Sequence, residues 1–82
     1  MAKTLTMQFE LRKLTPIEWI IIDVSLSEND PARTVACIYE VDTLECDVIW
    51  LRDLGLPAKY ATADEVLEEV IRASRGTALM PA

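Results

Sequence analysis

The order of apolar and polar residues divides the chain into five segments. Residues 4–12, TLTMQFELR, alternate without exception: Leu5, Met7, Phe9 and Leu11 against Thr4, Thr6, Gln8, Glu10 and Arg12. A period of two is the pattern of a strand with one buried face. Pro16 ends it, because proline cannot donate to the ladder. Residues 18–26, EWIIIDVSL, are apolar at every position from Trp19 to Ile22, which suits a central strand covered on both sides. The polar stretch 27–33, SENDPAR, carries Asp30-Pro31 as a turn signal.

Two β-rich runs follow, TVACIYEV (34–41) and CDVIWL (46–51), joined by DTLE. They read as a hairpin. A turn centred on Thr43-Leu44 would set Val41 opposite Cys46, Tyr39 opposite Val48 and Cys37 opposite Trp50. It would also set Glu40 opposite Asp47, Ile38 opposite Ile49 and Ala36 opposite Leu51. Residues 52–61, with Gly55 and Pro57, read as a loop.

The segment 62–76, TADEVLEEVIRASRG, is a helix by its period and its ends. Thr62 and Glu65 form a capping box. Val66, Leu67, Val70 and Ile71 make one apolar stripe, and Glu68 and Arg72 are spaced for an i, i+4 pair. Gly76 supplies a stop signal, so residues 77–82 are expected to fray. The predicted fold is α+β: a four-stranded antiparallel meander, β-β-β-β-α, with the C-terminal helix on one face. Residues 1–82 are expected to form a single domain with its core at about 4–75.

One helix has one apolar stripe and shields one sheet face. Leu5, Met7, Phe9 and Leu11, with Tyr39, Val41, Val48 and Trp50, are expected beneath it. The long loop 27–33 leaves the facing of the second strand open between Trp19/Ile21 and Ile20/Ile22. The predicted uncovered surface is Trp19, Ile21, Ala36, Ile38, Ile49 and Leu51. Exposed apolar area of several hundred Å² marks interfaces, and the fourth strand, VIWL (48–51), has no charge or proline to guard it as an edge, so two copies are expected to associate as a homodimer through this face or that edge.

Charge narrows the partners. Fourteen acids against eight bases give a net charge of −6. That balance argues against nucleic acid, whose phosphates need clustered Lys and Arg, and against anionic membranes. It suits a basic protein partner. The expected acidic patch is Glu10, Glu40, Asp42, Glu45 and Asp47. With Glu40 opposite Asp47, a divalent cation held by oxygen ligands is a further reading, although the residues match no calcium loop. The chain has no histidine, which removes the commonest general base and zinc ligand. The expected function is therefore a non-enzymatic interaction module (adaptor, regulator or small subunit) without a cofactor. The alternatives are an acidic inhibitor or nucleic-acid mimic, and a cation binder at the hairpin. No apolar run reaches the ~18 residues of a membrane helix. Two cysteines are too few for a disulfide framework, which reads as a reduced, cytoplasmic setting.

Overall fold

A computed structural model describes residues 8–79. The elements are β1 (Phe9–Thr15), β2 (Glu18–Asp23), a short 3-10 turn (Pro31–Arg33), β3 (Thr34–Asp42), β4 (Glu45–Trp50), β5 (Lys59–Tyr60) and α1 (Ala63–Leu79). The fold is α+β: one antiparallel sheet in the order β1-β2-β3-β4-β5, with a single C-terminal helix. The two-residue β5 is the element the pattern missed; Lys59 pairs with Asp47 and Tyr60 with Cys46. Two residues are too few to show a period. The predicted first half of the opening strand, 4–7, lies outside the described residues.

The helix starts as its sequence dictates. The Thr62 hydroxyl accepts from the Glu65 amide at 3.2 Å, and the Glu65 carboxylate accepts from the Ala61 amide at 3.0 Å. Gly76 does not stop it. The helix runs on to Leu79, two residues short of Pro81; one glycine costs a helix only about 1 kcal/mol relative to alanine. Arg72 pairs with Glu69, one turn position nearer than the expected Glu68.

Beneath α1 lies the core. Phe9 and Leu11 of β1, Ile21 of β2, Val35, Ala36 and Ile38 of β3, and Cys46 and Val48 of β4 meet Ala63, Val66, Leu67 and Val70 of the helix. The helix backbone comes closest to β1 and β5, the two outermost strands. The sheet therefore curls about the helix, leaving an inner face that is filled and, among the described residues, an outer face without a helix on it.

Three irregularities in pairing decide which side chains point where. Lys13 pairs with Trp19 but Thr15 with Glu18, so Leu14 is an extra residue in β1. Ile21 pairs with Ala36 but Ile22 with Thr34, so Val35 is extra in β3. Glu40 pairs with Cys46 but Asp42 with Glu45, so Val41 is extra at the other end of β3. Each is a β-bulge, which breaks strict alternation. The bulge at Val35 lets Val35 and Ala36 both sit inside, each fully buried.

The bulge at Val41 overturns the predicted hairpin register. The turn does fall at Thr43-Leu44, with Asp42 opposite Glu45. Beyond the bulge, however, Ile38 pairs with Val48, Cys37 with Ile49 and Tyr39 with Asp47. A shift of one residue sends each side chain to the other face. Ile38 and Ala36 thus point inward, in place of the expected Tyr39 and Val41. Leu44 closes the turn at φ 54°, a left-handed conformation that disfavours a residue with a Cβ by about 1–2 kcal/mol.

Candidate interaction surface

Built row by row from the pairings, the outer face carries Glu10 beside Ile22, then Arg12–Ile20–Cys37–Ile49, then Glu18–Tyr39–Asp47–Lys59. Ile22 is buried. Ile20 and Cys37 are half-buried, and Ile49 remains 54% exposed. Leu51, just past β4, is 57% exposed. The result is an apolar band across the middle strands, with charges at its margins. Arg12 pairs with Glu10 at 3.2 Å on the β1 side, and Lys59 with Asp47 at 2.6 Å on the β5 side. Those contacts with Asp47 hold the exposed Lys59 ammonium above its ordinary pKa.

The residues predicted for this surface do not share it. Ile21, Ala36 and Ile38 are fully buried against the helix, and Trp19 packs on the same core. Only Ile49 and Leu51 of that set are on open ground. The cause is the Val41 bulge, together with β2 placing Ile21 inward beside Leu11. Sequence reasoning left Ile20 as one of two open facings for the second strand and missed Cys37 as its outward neighbour. The unbroken run Trp19–Ile22 carries no period to separate its two sides.

The loop 51–58 could have covered the band but turns the other way. Leu54 packs on the core, and the Trp50 indole nitrogen donates to the Pro57 carbonyl at 2.9 Å. The Trp50 ring meets Tyr60 edge to face, with centroids 6.5 Å apart.

The five predicted acids also divide. Glu10 and Asp47 lie on the outer face, each paired with a cation. Glu40 lies on the inner side, opposite Cys46, and accepts from the Trp19 indole nitrogen at 2.7 Å. Asp42 and Glu45 face each other at the turn, both exposed. Glu40 and Asp47 therefore do not oppose each other, which removes the geometry behind the cation reading. Among the described residues, no group of three or more Asp, Glu, Cys or His is placed to hold a metal ion.

Both cysteines are free. They point to opposite sides, Cys37 outward beside Ile49 and Cys46 inward beside Glu40. The Cys46 thiol donates to the Ala61 carbonyl at 3.7 Å. Burial pushes its pKa up, and Glu40, Asp47 and Glu65 push it further. A thiol held protonated is a poor nucleophile.

At the end of the sheet remote from the hairpin turns, Asp23 is the buried acid of the core. Its carboxylate accepts from Gln8 Nε2 at 3.0 Å, from the Ser25 amide at 3.0 Å and from the Ser25 hydroxyl at 2.5 Å. Arg52 approaches it at 3.1 Å and also donates to the Ala32 carbonyl. Burial alone would raise the Asp23 pKa. Hydrogen bonds from Ser25, Gln8 and Arg52 outweigh it and hold the group below its ordinary value. The cluster ties the ends of β1 and β2 to the loops on either side of β3 and β4.

No protein-family profile matches the chain, and no curated protein or solved structure shows significant similarity to it. Among the described residues no helix is long and apolar enough to cross a membrane.

Proposed function

We propose that the chain is a small non-enzymatic interaction module whose copies associate through the outer sheet face, as an adaptor, regulator or small subunit. The observation that carries this reading is the apolar band Ile20–Cys37–Ile49, continued by Leu51, on a face that neither the helix nor the 51–58 loop covers. Its charge suits a like partner. Of the net −6, the outer rows contribute only Glu10, Glu18 and Asp47 against Arg12 and Lys59. Two such faces meet with little repulsion. A two-fold axis along the strands would also set the Glu10–Arg12 margin of one copy near the Asp47–Lys59 margin of the other.

The size of the band sets the strength. An apolar patch of roughly 300 Å² on each copy is at the lower end of those that mark interfaces. Burying two gives on the order of 15 kcal/mol, against association costs of about 4–15 kcal/mol. The balance of roughly 0–11 kcal/mol brackets a micromolar dimer, which needs about 8 kcal/mol. The acidic-mimic alternative gains less support, since Glu10 and Asp47 are neutralised locally by Arg12 and Lys59. Free thiols on both sides of the sheet suit a reducing compartment.

Light scattering across a concentration series tests the reading. The 9.2 kDa chain is expected to approach twice that mass above about 100 µM, the concentration that micromolar affinity implies. Ile49→Asp is expected to hold it monomeric with unchanged circular dichroism. A single 9.2 kDa species at every concentration, or an Ile49→Asp protein that still dimerises, overturns it.

A further inference from the structure

A second apolar surface stands at the hairpin end of the sheet, apart from the band on the outer face. Antiparallel order brings the β1–β2 turn and the β3–β4 turn to the same end. The Ile17 carbonyl accepts from the Glu40 amide at 2.8 Å, which fixes the two turns side by side. Four large apolar residues project there: Leu14 and Ile17 from the first turn, Val41 and Leu44 from the second. Each is more than half exposed, Leu44 the most at 71%.

Three of the four sit where the backbone departs from regularity. Leu14 and Val41 are the extra residues of their bulges. Leu44 occupies a left-handed turn position that Gly or Asn would fill without strain. Bulges re-aim side chains and gather next to functional sites, and strained positions do the same. None of these placements serves the core.

The surrounding charge identifies the occupant. Glu18, Glu40, Asp42 and Glu45 border the four apolar residues, with Lys13 drawn aside over the Trp19 ring at 4.5 Å. Beside Leu44, a cleft of about 200 Å³ opens between Glu40 and Asp42 on the β3–β4 hairpin and Ala61 and Thr62 ahead of the helix. It is smaller than the pockets that hold whole small molecules, and its size and sign fit one lysine or arginine side chain, aliphatic stem against Leu44 and charge toward the carboxylates.

We infer that the hairpin end docks a basic amphipathic segment of a protein partner: apolar side chains cover Leu14, Ile17, Val41 and Leu44 while cations meet Asp42, Glu45 and the cleft. An anionic membrane offers the same apolar contact with the wrong sign of charge. The inference is independent of association through the outer face, because its apolar residues lie in the two hairpin turns and not in the Ile20–Cys37–Ile49 band.

The test titrates the 82-residue chain with a fluorescein-labelled 14-residue peptide of leucine and lysine in amphipathic helical order, beside a peptide with glutamate for lysine. Anisotropy is the readout, with tryptophan emission as a second one. The lysine peptide is expected to bind, with affinity falling at least tenfold from 50 to 500 mM NaCl. It is expected to weaken at least tenfold in the Ile17→Thr/Leu44→Asn double variant and to be unchanged in Ile49→Asp. Because asparagine tolerates the left-handed turn, Leu44→Asn alone is expected to raise the urea midpoint while weakening the peptide. Equal binding by the double variant, equal binding of the glutamate peptide, or capture by phosphatidylserine vesicles in preference to the peptide each overturns the inference.

Discussion

Removing the Asp23 carboxylate should cost this protein a large share of its stability. Four donors converge on it: Gln8 Nε2, the Ser25 amide, the Ser25 hydroxyl and Arg52. A hydrogen bond to a charged group contributes about 1.5–3 kcal/mol, but the four do not add. Ser25 is exposed, and the Arg52 side chain is 30% exposed, so both regain water when the carboxylate goes. Breaking a fully buried pair costs about 3–5 kcal/mol; with this partial rehydration Asp23→Ala should lose about 3 kcal/mol. The whole stability expected for 82 residues is about 4–12 kcal/mol. Arg52→Ala leaves the carboxylate with Ser25 and Gln8, and should lose about 1 kcal/mol. Urea unfolding at pH 7, followed by tryptophan emission, measures both. The pH dependence is the sharper assay. Since the folded pKa of Asp23 lies below its ordinary 3.8, its contribution is full above the unfolded pKa and is lost as pH falls through the folded value. The difference between native and Asp23→Ala proteins should therefore hold from pH 7 to about 5 and shrink below pH 4. A loss under about 0.5 kcal/mol at pH 7, within the range of ordinary surface changes, or a difference that persists undiminished at pH 2.5, would refute the argument.

Tyr60→Phe should leave stability unchanged or raise it by about 1 kcal/mol in the same unfolding assay, because the Tyr60 hydroxyl is buried without a hydrogen-bond partner among the described residues and an unmet group costs about 1–3 kcal/mol; a loss above 1 kcal/mol would mean the hydroxyl has a partner. Thiol labelling at pH 8 should be biphasic, with outward Cys37 reacting at least tenfold faster than Cys46, whose buried thiol is held protonated. The Cys37 rate should also fall as protein concentration rises, if the outer face closes on a second copy; equal rates for the two thiols would contradict their opposite facing.

The helix was legible to within a turn because its signals are local. Thr62 and Glu65 mark its start and Val66, Leu67, Val70 and Ile71 its buried stripe, and both were read from spacing alone. Its end was not, since Gly76 weakens a helix without ending it. The four long strands were legible from period and turn residues. Which face each strand buries was not: bulges at Leu14, Val35 and Val41 shift the frame, and no residue type announces them. The same shift scattered the candidate surface. Ile38 and Ala36 look as apolar as Ile20 and Cys37, so composition gives no reason to prefer either pair for the interior. Asp23 escaped notice for a related reason. Its partners Gln8, Ser25 and Arg52 are spread over 45 positions of chain, and only folding gathers them.

The extra residue at Val41 makes the hairpin a reading frame. Were Val41 instead to join the ladder opposite Cys46, as unbroken alternation requires, β3 would slide by one, turning Ile38 to solvent and Cys37 and Tyr39 toward the helix side with Val48. No residue would be altered, yet β3 would exchange inside for outside along its length. In this protein a single inserted peptide unit therefore carries more architectural information than any side chain near it.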